Sequence, residues 1–203
     1  MQILNNDLFA SGSNDHTIRI WSLIDNKLKH TLRAHTNSVH CLKKSIDGDL
    51  ISCSEDNTIK IWCFSNNFKC LRTLSGHKKS IYYMDVMPDG NLITGSLDTY
   101  IKIWDIKNGV CLKSINTKYQ IHCLKYLNYG YLFIGKTGTR KNTKKKRNYK
   151  TKFIKILDIN KDDYNVVERI EGDAHNVELS SDGFLFTCCS KDNLIKAYKI
   201  KFE

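Results

Sequence analysis

Several features that define particular protein classes are absent from this chain of 203 residues. No apolar run approaches the ~18 residues that a membrane-spanning helix needs. The start, MQILNNDLFASG, lacks the basic region and the long apolar stretch of a secretory signal. No Asn begins an N-x-Ser/Thr acceptor for glycosylation. These absences predict an intracellular protein, located in the cytoplasm, the nucleus or both.

Acidic residues are absent from one segment, residues 136–152 (KTGTRKNTKKKRNYKTK), which carries nine Lys and Arg. Because the formal net charge is +11, the rest of the chain is close to neutral, and the segment is a local basic feature. Its KKKR run is typical of a nuclear localisation signal or an anion-binding patch. Nucleic acid, an acidic protein tail or anionic lipid would suit it, and a solvated loop without a partner is the alternative. The basic side chains singled out are Lys141, Lys144, Lys145, Lys146, Arg147 and Lys150.

One sequence pattern recurs along the chain. LFASGSNDHTIRIW ends at Trp21, LISCSEDNTIKIW at Trp62 and NLITGSLDTYIKIW at Trp104, at intervals of 41 and 42 residues. Fainter copies lie around Leu157 and Tyr198. A period of about 40–45 residues predicts a propeller repeat.

Each copy divides into short stretches of alternating apolar and polar residues, separated by turn residues. Asp-Gly pairs, as at Asp47-Gly48 and Asp89-Gly90, favour tight hairpins because they tolerate positive φ. Four antiparallel strands per copy make one propeller blade. The sequence therefore predicts an all-β protein with about five blade units.

These residues resemble the WD40-repeat family. Gly76-His77 is followed by Trp104 at the family's spacing, with Asp98 six residues before the tryptophan, and Trp104-Asp105 is a literal "WD". The second unit fits with Ala34 in place of glycine. The resemblance covers nearly the whole chain and implies one WD40-repeat domain over residues 1–203. The expected repeats span about 1–33, 34–74, 75–115, 116–170 and 171–203, with the first and last incomplete.

The resemblance also implies a hydrogen-bonded set of His, Ser or Thr, Asp and Trp that locks each blade. The second blade would use His35, Ser52, Asp56 and Trp62, and the third His77, Thr94, Asp98 and Trp104. The first would use Ser11, Asp15 and Trp21, without a histidine. A Ser-His-Asp set also suggests a catalytic triad, but its recurrence in each blade favours a structural role, because catalysis needs one exposed nucleophile.

The fourth and fifth units depart from the pattern. The fourth has Thr117, Ile134 and Leu157 at the His, Ser/Thr and Trp positions, with the basic segment between its second and third strands. The fifth keeps His175 and Asp192. The chain is expected to open on the second strand of one blade and to close on the third strand of another. This favours a partial propeller over an imperfectly closed five-bladed ring or one completed by another chain.

Two further motifs suggest chemistry that the sequence context disfavours. GYLFIGKT, from Gly130 to Thr137, matches a phosphate-loop pattern, but its Tyr-Leu-Phe-Ile core aligns with the second strand of the other units. His40-Cys41 and His122-Cys123 suggest zinc, but they fall in different repeats, and adjacent strand residues point to opposite faces. We expect packing cysteines kept reduced, and neither metal nor cofactor.

The most direct functional hypothesis is a non-catalytic scaffold that binds other proteins through the face carrying the Asp turns and His loops. Tyr100 and Leu97 are the expected anchors, because aromatic and apolar groups carry most interface energy. The alternatives are a nuclear or polyanion-binding module acting through residues 136–152 and a truncated copy without an independent role. The residues expected on the partner face are Asn14, His16, Asn37, Glu55, Asn57, Lys78, Lys79, Leu97, Thr99 and Tyr100.

Overall fold

A computed structural model gives the fold, and every regular element in the described part of the chain is a β-strand, which confirms the all-β prediction. The described residues are 1–127, 130–142, 147–160, 165–171, 176–180, 184–189 and 194–199. By their internal contacts the residues form two compact units, Met1–Asn116 and Thr117–Glu203. The single domain expected over residues 1–203 stays a prediction.

The first unit contains three antiparallel sheets of four strands, each paired in chain order. The first sheet is β1 (Gln2–Ile3), β2 (Leu8–Gly12), β3 (Thr17–Ser22) and β4 (Leu28–Arg33). The second is β5 (Val39–Lys44), β6 (Leu50–Ser54), β7 (Thr58–Cys63) and β8 (Lys69–Ser75). The third is β9 (Ile81–Val86), β10 (Leu92–Ser96), β11 (Tyr100–Asp105) and β12 (Val110–Asn116). These sheets are the blades predicted from the repeat.

One detail of the first blade differs from the prediction. The chain does not open on a second strand, because the two-residue strand β1 pairs with β2 through Gln2↔Ala10 and Ile3↔Phe9. The corresponding strands of the next two blades, β5 and β9, are six residues long. The innermost strand of the first blade is therefore present but short. The sequence did not predict β1, because two residues are too few to show an alternation of apolar and polar residues.

The core of the first unit lies between successive blades. Every residue of β6 and of β10 is buried, as expected for strands covered on both faces. One apolar cluster joins Ile18 and Ile20 of the first blade to Leu42 of the second, and another joins Ile59 of the second to Met84 of the third. The turn glycines Gly48 and Gly90 take positive φ of 96° and 85°, as Asp-Gly hairpins require.

The second unit contains a sheet of four strands and a sheet of three. The four strands are β13 (Gln120–Tyr126), β14 (Tyr131–Asn142), β15 (Arg147–Asp158) and β16 (Asn165–Glu171). The three are β17 (Asn176–Leu179), β18 (Phe184–Cys189) and β19 (Leu194–Lys199). Residues 131–137 of the phosphate-loop motif lie in β14, so this segment is a strand and not the loop that phosphate binding requires.

The expectation of a basic loop over residues 136–152 is wrong for most of the segment. Strands β14 and β15 are 12 residues each, and their pairing runs unbroken from Tyr131↔Asp158 to Asn142↔Arg147. Lys141 and Lys150 thus lie on paired strands, and Lys144, Lys145 and Lys146 fall outside the described residues. The ladder of the blade extends past the core because its register is already set there. We call residues 136–152 the basic hairpin.

Candidate functional site

The second blade contains a hydrogen-bonded network that runs from its interior to its turn. Trp62 Nε1 donates to Ser52 Oγ (2.9 Å), which lies 2.7 Å from His35 Nε2. His35 Nδ1 lies 2.7 Å from Asp56 Oδ2. An ionised carboxylate can only accept, so we assign the His35 proton to Nδ1 and the Ser52 hydroxyl as donor to Nε2. Every polar atom along this path has a partner.

The third blade repeats the arrangement with threonine as its central hydroxyl. Trp104 Nε1 donates to Thr94 Oγ1 (2.9 Å), and Thr94 Oγ1 lies 2.8 Å from His77 Nε2. His77 Nδ1 lies 2.8 Å from Asp98 Oδ2. The side chain of His77 is 0% exposed. A buried imidazole with both nitrogens paired is held in one orientation.

The first blade has only part of the network. Trp21 Nε1 donates to Ser11 Oγ (2.9 Å), and the indole stacks on Phe9 with ring centroids 6.3 Å apart. Asp15 accepts instead from Thr17 and from Arg19 Nη2 (2.6 Å). The structure therefore brings Ser11 and Trp21 together and gives Asp15 a different set of partners.

In the second and third blades the turn carboxylate also ties the histidine loop to the strand after the turn. Asp98 accepts from the backbone N–H of Lys78 (2.8 Å) and of Tyr100 (2.9 Å) in addition to His77. Burial would raise the pKa of the Asp98 carboxyl, but these hydrogen bonds together outweigh it and lower the pKa to about 2. Burial lowers the pKa of His35, against the opposing effect of Asp56. Both shifts favour an ionised Asp and a neutral His.

A second hydroxyl in each repeat was not identified from the sequence. Ser54 Oγ donates to Asn37 O (3.0 Å) and accepts from Asp56 N (3.0 Å). Ser96 makes the same pair of contacts, with Lys79 O and Asp98 N. The available signal was a serine two residues before each turn Asp, as in Ser13-Asn14-Asp15. These serines join the Asp turn to the histidine loop at one end of the blade.

We call that end of the first unit the turn face. Asn14, His16, Lys78 and Lys79 are exposed there. The half-buried members are Asn37, Glu55, Asn57, Leu97, Thr99 and Tyr100. His16, Asn57 and Thr99 follow the three turn Asp residues, and all three take positive φ, of 70°, 68° and 77°. A common backbone therefore presents different side chains in each blade.

Glu55 has partners on the turn face that the sequence did not predict. Its Oε1 lies 2.9 Å from His40 Nε2 and accepts from Tyr82 OH (3.0 Å). The rings of His40 and Tyr82 lie 4.3 Å apart. His40 and Tyr82 each follow the first apolar residue of an inner strand, Val39 and Ile81. That shared position was the available signal, but the meeting of two blades at Glu55 depends on the packing of the sheets.

The fourth blade has apolar packing at the corresponding positions. Ile134 and Leu157 are each 1% exposed, and Thr117 is buried. His175 and Asp192 of the fifth unit lie outside the described residues. In the described part of the chain, no group of three or more His, Cys, Asp or Glu could hold a metal ion. Within that same part, no helix is long and apolar enough to cross a membrane.

Comparison with known proteins places this geometry in a family. The family model "WD domain, G-beta repeat" matches residues 4–22, 26–63 and 68–105. Nuclear distribution protein PAC1 of Tuber melanosporum is 40% identical over 70 residues, which are 32% of this chain and 15% of that protein. Pre-mRNA-splicing factor PRP46 of Candida glabrata is 52% identical over 42 residues, 21% of this chain and 10% of that protein.

A solved structure shows the same fold. The WD40 β-propeller domain of Doa1 matches with a TM-score of 0.74 and 25% sequence identity, covering 95% of this chain and 60% of that one. The chain thus spans less than two thirds of the length of each of these proteins. The matched repeats, the related proteins and the shared fold show that this chain belongs to the WD40-repeat family.

Proposed function

We propose that this chain is a non-catalytic scaffold that binds partner proteins through the turn face. WD repeat proteins generally act as protein-interaction scaffolds. The observation that carries the proposal is that the polar residues of these blades fall into two groups, one paired in the interior and one accessible on the turn face. The Ser or Thr, His, Asp and Trp of the second and third blades are turned inward and paired with one another, whereas the residues beside them are accessible and differ between blades.

Burial of the central hydroxyls argues against their use in catalysis. Ser52 and Thr94 are 0% exposed, and each is held between an indole N–H and an imidazole. A catalytic serine needs access for the substrate and donors for the developing oxyanion. The recurrence of the same arrangement in two blades supports a role in holding the turns.

Tyr100 is a preordered anchor on the turn face. Its hydroxyl accepts from Asn116 Nδ2 (3.3 Å), and its backbone N–H is fixed by Asp98. An aromatic side chain that is already held loses little conformational entropy on binding. Leu97, in the same turn, adds half-buried apolar surface. The pair fits a partner that presents an apolar side chain with a polar rim.

The basic hairpin supports a second candidate function, the binding of a polyanion. Its register places six Lys and Arg on two paired strands with no acid among them. Adjacent positions on a strand are about 3.3 Å apart, so the backbone positions of these residues lie close together. Binding of this kind would weaken steeply with salt. The six residues are Lys136, Arg140, Lys141, Arg147, Lys150 and Lys152.

The similar proteins support a location inside the cell. Their names refer to nuclear distribution and to pre-mRNA splicing. Together with the absence of N-x-Ser/Thr acceptors, this favours the cytoplasm or the nucleus. A fluorescent fusion of the full chain, compared with one lacking residues 137–151, measures the contribution of the basic hairpin to nuclear entry.

Affinity capture with matched variants tests the two binding surfaces. One variant combines Lys78→Ala and Lys79→Ala on the turn face. Its control combines Lys69→Ala and Lys107→Ala, which removes the same charge from exposed positions at the opposite end of the same blades. A third variant lacks residues 137–151. Bound proteins are quantified at low and high salt.

The scaffold proposal predicts that Lys78→Ala/Lys79→Ala lowers recovery of the bound proteins by about tenfold, the effect of losing ~1.4 kcal/mol at an interface. The control pair and the hairpin deletion should retain them at both salt concentrations. Equal losses in the two lysine pairs contradict the turn-face proposal. Loss confined to the hairpin deletion and to high salt favours the polyanion function instead.

A further inference from the structure

Two cysteines of the second blade lie directly opposite each other. Strands β5 and β6 pair with Cys41 facing Cys53 across the ladder. Directly opposite residues of an antiparallel pair have Cα atoms about 4.5–5.5 Å apart. A disulfide spans Cα separations of about 4.4–6.8 Å. The register of these strands shifts between Val39 and Cys41, and Cys41 and Cys53 are the first directly opposed pair after the shift. A Cα separation in this range can be bridged without moving the strands apart.

The two thiols also lie on the same side of the sheet. Cys41 Sγ is 3.9 Å from Met84 O, and Cys53 Sγ is 3.4 Å from Ile81 O. Both carbonyls belong to β9, the first strand of the next blade. Both side chains also belong to the apolar cluster between the second and third blades. Among the strand pairs that the structure describes, no other cysteine faces a cysteine.

The surroundings make the two thiols chemically different. A hydrogen bond from Cys53 and the positive charge of Lys43 lower the pKa of the Cys41 thiol, against the opposing effect of burial. Burial raises the pKa of the Cys53 thiol. Cys41 is half-buried whereas Cys53 is 0% exposed. Cys41 is thus the more exposed of the two residues and has the more acidic thiol, and Cys53 is the thiol held beside it.

We propose that Cys41 and Cys53 form a site of reversible oxidation whose co-reactant is hydrogen peroxide. The Cys41 thiolate attacks one peroxide oxygen, the O–O bond breaks, and the departing hydroxide takes a proton to become water. Cys41 is left as a sulfenic acid. The Cys53 sulfur then displaces that hydroxyl group as a second water, and the S–S bond forms. Two thiols are oxidised by two electrons, and one peroxide is reduced to two waters.

Such a pair suits a reducing compartment, where protein disulfides are usually transient or redox-sensing. Thiol exchange with a low-molecular-weight thiol would restore the reduced pair. The site lies inside the second blade, so it does not depend on which surface binds a partner. Its test therefore needs only the purified chain.

The test is peptide mapping of the full chain after graded treatment with hydrogen peroxide. Cleavage after Lys and Arg releases Cys41 in peptide 34–43 and Cys53 in peptide 45–60, so only a disulfide keeps the two together. Remaining thiols are alkylated before cleavage. Cys111 is the internal control, because it is exposed and no cysteine faces it. The matched variants are Cys53→Ala and Cys41→Ala.

We expect the linked peptide to form about tenfold or more faster than Cys111 is oxidised, and dithiothreitol to reverse it. Cys53→Ala should lose the link and accumulate a dimedone-reactive sulfenic acid on Cys41, whereas Cys41→Ala should leave Cys53 reduced. The proposal is overturned if Cys111 is oxidised first in the intact chain, or if Cys53 is linked to any other cysteine. The measurement on the unsubstituted chain decides this even if a variant fails to fold.

Discussion

Removing the Asp98 carboxylate is the most direct test of the network in the third blade. In Asp98→Ala, three donors lose their acceptor, namely His77 Nδ1 and the backbone N–H groups of Lys78 and Tyr100. The side chain of His77 is 0% exposed, so its N–H has no water to replace the carboxylate. An unpaired buried donor costs about 1–3 kcal/mol. The two backbone groups together add about 1 kcal/mol, because water can reach them in part.

The expected loss in the free energy of unfolding is therefore about 2–4 kcal/mol. For a chain of this size it corresponds to a fall in Tm of about 6–12 °C. Denaturant unfolding followed by tryptophan fluorescence is the appropriate assay, because Trp21, Trp62 and Trp104 all lie in the first unit. The signal then reports on the unit that carries the substitution.

Two further variants distinguish this explanation from a general effect of losing a turn aspartate. Asp98→Asn keeps an oxygen acceptor and should cost about half as much as alanine. Asp15→Ala removes a carboxylate whose side chain is 45% exposed and which holds no histidine, so it should cost clearly less stability than Asp98→Ala. If Asp98→Ala is no more destabilising than Asp15→Ala, the reasoning from burial is wrong.

Three other outcomes follow from the described geometry. The pKa of Asp98 is lowered from 3.8 to about 2 in the folded protein, so the stability that its carboxylate contributes is complete above about pH 4 and is lost as the pH falls toward 2. The lowered pKa of His35 adds a second loss of stability, which begins below about pH 6.5. A measurement of the free energy of unfolding as a function of pH tests both effects. Thr99→Asn should raise the free energy of unfolding by about 0.5–1 kcal/mol, because a β-branched residue at φ 77° is strained where asparagine is tolerated. A lower Tm in this variant would contradict the prediction. Deletion of residues 137–151 should leave the tryptophan-detected unfolding of the first unit unchanged, and a shift of more than about 1 kcal/mol would show that the basic hairpin stabilises it.

The sequence predicted those parts of the fold and site that depend on fixed spacing. The intervals from His35 to Trp62 and from His77 to Trp104 are equal, and the structure joins the ends of each interval through one hydroxyl. Spacing did not predict Ser54 and Ser96, because a serine in a turn has many local uses. The contact of Glu55 with Tyr82 was also missed, since it arises where two sheets meet.

The length of β14 and β15 was missed for a different reason. Alternation of apolar and polar residues reveals a strand only where one face is buried. Beyond Gly135 the sequence is polar at nearly every position. A sequence of this kind fits a solvated loop as well as a paired hairpin. Only the continued register from the core of the blade separates the two.

The closed network has a consequence for how such blades can change over evolutionary time. In the networks of the second and third blades each polar side-chain atom is hydrogen-bonded to another. A single apolar replacement therefore leaves a buried donor or acceptor without its partner. The fourth blade has apolar side chains in place of the network, since Ile134 and Leu157 are buried at the corresponding positions. A repeat that loses one member of the network is therefore expected to lose stability unless new partners form, as they do for Asp15 in the first blade. The family model matches three repeats between residues 4 and 105, and each of them keeps at least the hydrogen bond between its tryptophan and a hydroxyl. That bond is the part of the network that a repeat can retain when the histidine is absent.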